Sequence, residues 1–264
     1  MKLCDGVKRN DRGVSESIGF MLIFTLVIVG IGLVTLYGYP MLLQQQVNAD
    51  KRIMEKNLIV LQNDIKSITY KNVPYKETSL KVSGGSLTVY NTLFSPTSSS
   101  FRISDGSSVD VTFHPGQLQY ESINAQQVIA IENGAVMARP MYAPGSVMVA
   151  EPRWFSDTDP ITSKTTTVIP LIGLNSTIFM SQTGVGTVRM QVSTTNYTEI
   201  SKPALSNQVT VYYTPDPNIY NFSVAWRNYF TNSLKWTETA PNTYRLPPTD
   251  TLVIKKYDIM VKSL

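Results

Sequence analysis

The chain has 264 residues, a net charge of +4 and a hydrophobic content of 42%, which is enough to bury a sizeable core. It has one histidine, His114, and one cysteine, Cys4, which excludes zinc sites built from several histidines or thiolates and disulfides within the chain. The basic residues are scattered beyond the N-terminus, so the small positive excess indicates an ordinary solvated surface and no nucleic-acid partner.

The stretch from Ile18 to Leu43 contains no charged residue and is almost entirely apolar. A helix needs roughly 20 apolar residues to cross a hydrocarbon core of about 30 Å, so this stretch predicts a membrane-spanning helix. Two alternatives fit less well. Apolar core helices of soluble proteins seldom exceed about 14 residues. Signal peptides have an apolar region of about 7 to 15 residues and a small-residue cleavage site, whereas this stretch ends in bulky residues such as Tyr39 and Leu42.

The residues before the apolar stretch carry a basic excess. Four cations stand against two carboxylates, namely Lys2, Lys8, Arg9 and Arg12 against Asp5 and Asp11. Because lysine and arginine resist translocation, we expect a cytoplasmic N-terminus, a single pass through the cell membrane and an extracellular C-terminal domain.

The run DRGVSESIGF at residues 11–20 resembles the processing site of archaeal type IV pilin-like proteins, which include pilins and archaellins. In that family a short basic leader ends in Lys or Arg followed by Gly or Ala, and a prepilin peptidase cuts before the apolar helix. The resemblance implies recognition of Arg12 and Gly13 and a mature chain that begins at Val14. It also implies an assembly helix whose first residues include Glu16, Ile18, Gly19 and Phe20. Glu16 stands where the family often has proline.

The resemblance implies a surface subunit that assembles into a cell-surface filament or is attached to one, with a role in adhesion. Its implied partners are the membrane, the prepilin peptidase and like or related pilin subunits. A second hypothesis stays open, in which the chain never polymerises and is a single-span membrane anchor for an extracellular β domain that binds partners.

An apolar seam follows the membrane stretch. Val47, Met54, Leu61 and Ile68 repeat every seven residues, with Leu58 and Ile65 between them. We therefore predict one helix from about Ser17 to about Ser67, stopped at the latest by Pro74. Fewer than four heptads are present, which favours cover by the chain's own β domain over a coiled coil with a partner. The predicted organisation is a leader at 1–13, a helix at 14–70 and a β-rich domain at 71–264.

Alternating apolar and polar residues from Leu80 onward predict strands. Leu80–Val82 and Ser86–Tyr90 suggest a hairpin around Gly84 and Gly85. Further predicted strands are 109–113, 117–121, 128–131, 147–150, 167–171, 185–192, 208–213 and 251–261. The predicted fold class is mainly β, a long N-terminal α-helix followed by an antiparallel β-sandwich-like outer domain. Within 221–236, spacings of three and four between Phe222, Trp226, Tyr229 and Phe230 predict a short helix packed on the sheet.

Three triplets match the N-glycosylation acceptor pattern, beginning at Asn175, Asn196 and Asn221. They agree with an extracellular domain and imply an oligosaccharyltransferase as a partner. We expect glycans on Asn175 and Asn196, whereas Asn221 is the least suited because it stands at a predicted helix start.

No motif predicts catalysis, a metal site or a cofactor. His114 stands in the turn-like sequence Phe-His-Pro-Gly without a recognisable partner, and no nucleophile elbow occurs. Asp157 and Asp159 offer oxygen ligands, but they lack the glycine and the trailing glutamate of a calcium loop, so we predict a polar turn before Pro160. We therefore expect a protein that is not an enzyme.

Overall fold

A computed structural model describes residues 11–71, 73–91, 99–193, 198–203 and 208–264. The chain divides into two compact units, one up to Ala49 and one from Asp50 to Leu264. The second unit begins within the polar half of the long helix, earlier than the predicted start of the β domain at residue 71.

The N-terminal helix is continuous over the described residues, as predicted, and it is longer at both ends. It consists of α1 (Asp11–Leu33), a π-helical segment (Val34–Gly38) and α2 (Tyr39–Tyr70). In the π-helical segment the Tyr39 N–H bonds to the Val34 carbonyl, five residues back. Pro40 follows immediately and has no N–H for the normal helical hydrogen bond, which accounts for the change of pitch at this point.

The second unit contains fifteen strands among the described residues. In chain order they are β1 (Tyr75–Tyr90), β2 (Ser100–Ser104), β3 (Asp110–Phe113), β4 (Gln117–Ser122), β5 (Gln127–Glu132), β6 (Ala135–Pro140), β7 (Val147–Ala150), β8 (Phe155–Thr158), β9 (Thr165–Asn175), β10 (Met180–Val192), β11 (Thr198–Pro203), β12 (Thr210–Thr214), β13 (Thr237–Ala240), β14 (Thr243–Arg245) and β15 (Thr251–Ser263). A short helix, α3 (Ser223–Asn228), continues into a π-helical turn (Tyr229–Ser233).

The strands form two sheets, and the predicted mainly β fold class is confirmed. The larger sheet has the order β7-β6-β5-β4-β1-β10-β15-β9-β8, with β11 also paired to β15, and the smaller has the order β13-β14-β12-β2-β3. The prediction of an antiparallel domain needs one correction, because β9 and β15 pair in parallel from Thr166 beside Thr251 to Asn175 beside Met260.

The larger sheet is covered on both faces, which adds a layer to the predicted sandwich. In β5, Val128 and Ala130 join a core with the smaller sheet and α3. Ile129 and Ile131, on the opposite face, join a second core with α2. Because both faces of β5 are buried, its residues are almost continuously apolar. A strand with one exposed face would alternate apolar and polar residues.

The helix seam is buried by the chain's own β domain, as predicted. Its buried residues are Met54, Leu58, Leu61, Ile65 and Ile68. Gln62 is buried beside them, and its amide donates hydrogen bonds to the carbonyl oxygens of Gly134 at 2.7 Å and Glu151 at 3.0 Å. Because these bonds satisfy the amide, the helix is held to the sheet by polar contacts as well as by apolar packing.

The predicted hairpin at residues 80–90 is wrong, since this segment is one long strand, β1. Its pairing with β10 shifts register between Val82, opposite Gly184, and Leu87, opposite Gln182. The extra residues of β1 between these two positions form a β-bulge. Gly84 has a φ of +68°, and a Cβ on Gly85 would lie 2.2 Å from the Glu121 carbonyl oxygen. The two glycines therefore permit a bulge and a close backbone contact, which local sequence does not distinguish from a turn.

The aromatic segment at 221–236 packs in the core, as predicted. Phe222, Trp226, Tyr229 and Phe230 are all buried. The Phe230 ring stacks on Trp236 with the ring centroids 5.1 Å apart. The helical part ends at Ser233, before the end of the predicted segment. The chain then turns, and Trp236 packs on the Phe230 ring.

Candidate functional site

The apolar half of the N-terminal helix has an uncovered surface. From Ile18 to Leu43 the large apolar side chains are 44% to 71% exposed, and none of the most apolar window is buried. Among the described residues this is the one helix long and apolar enough to span a membrane. Its surface requires an apolar environment that the first unit does not supply by itself.

The two threonine hydroxyls within the apolar half of the helix bond to backbone carbonyl groups of the helix itself. The Thr25 hydroxyl donates to the Met21 carbonyl and the Thr35 hydroxyl to the Ile31 carbonyl, each at 2.8 Å. In lipid an unpaired hydroxyl is costly, so these two bonds make the helix compatible with a hydrocarbon environment.

Three glycines leave open space on the helix surface. A Cβ added at Gly19, Gly30 or Gly32 would meet no atom within 4 Å. Small residues of this kind allow a second helix to approach closely. The surface is therefore suited to lipid contact and to packing against another helix.

The residues of the predicted processing and assembly segment lie on α1. The side chains of Arg12, Gly13 and Val14 lie outside the part whose surroundings the structure describes. The next four predicted residues, Glu16, Ile18, Gly19 and Phe20, are exposed. The ring of Phe20 stacks on Phe24 with centroids 6.1 Å apart. Ile18, Gly19 and Phe20 thus belong to the uncovered apolar surface.

The glycosylation triplets differ in accessibility. Asn175 ends β9, is half-buried and donates its amide to Asp258 Oδ1 at 3.4 Å, while Ser176 is buried. Asn221 is exposed, and its side-chain oxygen accepts the Ser223 N–H at 2.7 Å. Asn196 lies outside the described residues. The folded domain therefore exposes Asn221 more than Asn175, the reverse of the order expected from sequence.

The remaining polar residues do not gather into a reactive site. His114 is exposed between β3 and β4, as predicted. The Asp159 carboxylate accepts the Ile161 N–H at 2.8 Å and forms the predicted polar turn, whereas Asp157 lies in β8, so the turn prediction is wrong for that residue. Within the described ranges, no three His, Cys, Asp or Glu residues are grouped to hold a metal ion.

The structure brings together a buried carboxyl group that sequence analysis missed. Glu132, at the end of β5, is fully buried. It accepts hydrogen bonds from the Ser99 hydroxyl at 2.7 Å and from the Trp226 indole N–H at 2.8 Å. The Gln117 amide and the Tyr213 hydroxyl also donate to it. We call these five residues the Glu132 cluster.

Burial raises the pKa of Glu132 above its ordinary value, and its hydrogen bonds only partly oppose that effect. Burial and the nearby carboxyl group also raise the pKa of Tyr213 well above its usual range. The donors come from β4, β12, α3 and the residue before β2, so the cluster joins both sheets and the short helix. Its chemistry is that of an enclosed structural network. The signal in the sequence was a charged residue at the end of an apolar strand, directly before Asn133 and Gly134.

Over the residues that the structure describes, these features define a class of protein with one helix able to span a membrane and a three-layered, β-rich domain that has its own cores. Residues 12–262 match the model of a family described as a family of unknown function (DUF7289), and the chain belongs to this family. No curated protein and no solved structure matches the chain.

Proposed function

We propose that the protein is an archaeal type IV pilin-like surface subunit that assembles into a cell-surface filament or is attached to one, with its β domain available for adhesion. The observation that carries this proposal is the contrast within one helix. The apolar half is uncovered, whereas the seam in the polar half is buried by the β domain.

The uncovered half needs lipid or other apolar helices around it. Burial of apolar surface stabilises by about 25 cal/mol per Å², so a helix of this length has a large drive to leave water. The open space at Gly19, Gly30 and Gly32 supports packing against copies or related subunits. The helix therefore has the properties needed for a membrane-resident subunit and for a filament core.

The proposed placement follows from the basic N-terminus. The N-terminal residues stay in the cytoplasm, the apolar helix crosses the cell membrane once and the β domain faces outward. In this arrangement a prepilin peptidase removes residues 1–13, and an oligosaccharyltransferase modifies the outer domain. The proposed mechanism is assembly and adhesion, with no catalytic step and no cofactor.

A second candidate function is a membrane-anchored binding protein that does not polymerise. It is favoured by the two cores of the second unit, which supply the apolar burial of the β domain from within one chain. Such a domain needs no neighbouring subunit to fold.

Replacement of Gly13 by tryptophan is expected to block removal of the leader, because the bulky side chain stands at the proposed cut. Wild-type protein isolated from its native envelope should begin at Val14, and the variant should begin at Met1. N-terminal sequencing and intact mass distinguish the two products.

The matched control for that experiment is Gly6→Trp, which places the same bulk in the leader away from the cut and should leave processing unchanged. A Gly13→Trp protein that still begins at Val14 would contradict the peptidase assignment. If wild type begins at Val14 but stays wholly with the membrane after surface filaments are sheared off, the non-polymerising alternative holds.

Glycans are expected on Asn175 and Asn196 in protein from the native host. Because Asn175 is half-buried, its glycan must be attached before β9 pairs with β15. Intact-mass measurement with peptide mapping tests this, and unmodified asparagines at both positions would rule the prediction out. A glycan on Asn221 alone would indicate that accessibility in the folded domain decides which asparagine is modified.

A further inference from the structure

The second unit has an apolar surface at the end where its part of α2 begins. A groove of about 740 Å³ is lined there by Lys51 of α2, Gln126 of the β4–β5 turn, Pro140 and Pro144 around the β6–β7 loop, and Val224 of α3. We call this groove and the turns that border it the Lys51 surface.

Large apolar side chains project from the turns of the Lys51 surface. Ile123 is 70% exposed and Tyr142 is 73% exposed. Ile123 and Gly84 line a second, smaller hollow. A Cβ on Gly84 would lie 3.4 Å from Asp50 Oδ2, which places this hollow beside the start of the domain's helix. Both projecting side chains are thus at one end of the domain, and neither contributes to its cores.

The charges near the Lys51 surface are nearly balanced. The cations are Lys51, Arg52, Lys56 and Arg139, and the carboxylates are Asp50, Glu55 and Glu121. Two of the carboxylates are engaged, since Glu55 accepts from Gln127 at 3.2 Å and Glu121 accepts from the Tyr220 hydroxyl at 3.0 Å. A partner for this surface is therefore bound mainly by apolar contact, with only weak help from charge.

The covalent chain limits how far this surface can be from the apolar stretch. Leu43 ends that stretch, and eight residue steps lead from it to Lys51, a span of at most about 28 Å even for a fully extended chain. If the apolar stretch lies in a bilayer with Leu43 at the edge of the hydrocarbon core, the start of the domain's helix lies within that distance of the core.

We propose that the Lys51 surface rests on the membrane, with Ile123 and Tyr142 inserted among the lipid headgroups. This inference rests on the proposed membrane location of the helix. An exposed tyrosine suits the interface because its ring is apolar and its hydroxyl is polar, and the Lys51 and Arg52 side chains are long enough to extend toward phosphate groups. The contact fixes the side of the domain that faces the lipid and leaves the opposite side free for partners.

The test is tryptophan fluorescence of the full chain in nanodiscs of phosphatidylcholine whose acyl chains are brominated close to the ester groups, so that the bromine lies just beneath the headgroups. The native tryptophans, Trp154, Trp226 and Trp236, are at most 4% exposed and give a shielded background. Ile123→Trp and Tyr142→Trp should each add emission that brominated lipid quenches strongly relative to unbrominated lipid. The quenching should persist in high salt, because apolar contact dominates.

Two further variants are controls. Met41→Trp reports on the apolar helix and should be quenched. Ile161, in the turn between β8 and β9, is 90% exposed, and Ile161→Trp should not be quenched. If Met41→Trp is unquenched, the proposed membrane location fails. If it is quenched but Ile123→Trp and Tyr142→Trp are not, only the Lys51 surface inference is overturned. If the emission of Ile123→Trp and Tyr142→Trp shifts to the blue without quenching, the membrane contact is overturned in favour of a protein partner.

Discussion

Replacement of Leu61 by aspartate is expected to prevent the β domain from folding. Leu61 is completely buried between α2 and the larger sheet. Truncating a buried leucine costs about 2 to 5 kcal/mol, and an unpaired buried carboxylate adds several kcal/mol more. The total approaches the 5 to 15 kcal/mol by which typical domains are stable. Urea unfolding of the full chain in detergent, followed by tryptophan fluorescence, should show no cooperative transition for Leu61→Asp.

The neighbouring residue supplies the control. Val60 is 48% exposed on the same turn of the helix, so Val60→Asp should unfold close to wild type. Leu61→Ala should retain a cooperative transition and lose about 2 to 5 kcal/mol. Equal stability of Leu61→Ala and wild type would mean that α2 does not pack against the sheet in solution.

Replacement of Glu132 by alanine is expected to lower the free energy of unfolding by about 3 kcal/mol or more. The change removes the acceptor for the Trp226 indole and the Gln117 amide, and each buried donor left unpaired costs about 1 to 3 kcal/mol. Because Trp226 belongs to the cluster, its fluorescence should change as well. A loss below 1 kcal/mol would show that the cluster is not a stabilising network.

Glu132→Gln tests the charge separately from the hydrogen bonds. Burial raises the pKa of Glu132 above its ordinary value of 4.5, so folding favours the protonated form. The stabilisation that the folded state gains from the bound proton of Glu132 is fully present below about pH 4.5. It is lost as the pH rises through the folded-state pKa of Glu132. Gln117 Oε1 has no hydrogen-bond partner. If the Gln117 amide group reverses, this oxygen can accept a hydrogen bond from the amide introduced at position 132.

The unfolding free energies of wild type and Glu132→Gln are therefore compared across pH. The difference should shift in favour of Glu132→Gln as the pH rises above 4.5, because only wild type must ionise or retain a proton in the core. Below the pH range in which tyrosine ionises, the other titrating groups are common to both proteins and cancel in the difference. A difference that is constant with pH would contradict the raised pKa.

The long helix was predictable because its signals are local. An uncharged run and a seven-residue repeat identify both halves of the helix, and five of the seam residues are buried as the repeat indicates. The strand β6 was missed although its signal was local as well. Asn133 and Gly134 have φ values of 47° and 73°, and they join β5 to β6 in the tight Asn-Gly turn that strongly indicates a hairpin.

Other features depend on contacts distant in sequence. The parallel pairing of β9 with β15 leaves no local pattern, and the bulge of β1 at Gly84 and Gly85 depends on β10 and on the Glu121 carbonyl. The Glu132 cluster draws donors from four separate segments, and the Lys51 surface draws its residues from α2, two turns and α3. Residue types alone could flag Glu132 as unusual but could not identify its partners.

The position of β15 has a consequence for biosynthesis. This strand, Thr251–Ser263, pairs with β9, β10 and β11 and completes the interior of the larger sheet. At about 5 to 20 residues per second, the roughly 75 residues between β9 and β15 take about 4 to 15 s to synthesise. During that interval β9 and β10 present unpaired edges that favour aggregation, and closing such distant contacts is slow. The strand order therefore leaves these edges of β9 and β10 without their native partner until β15 is made.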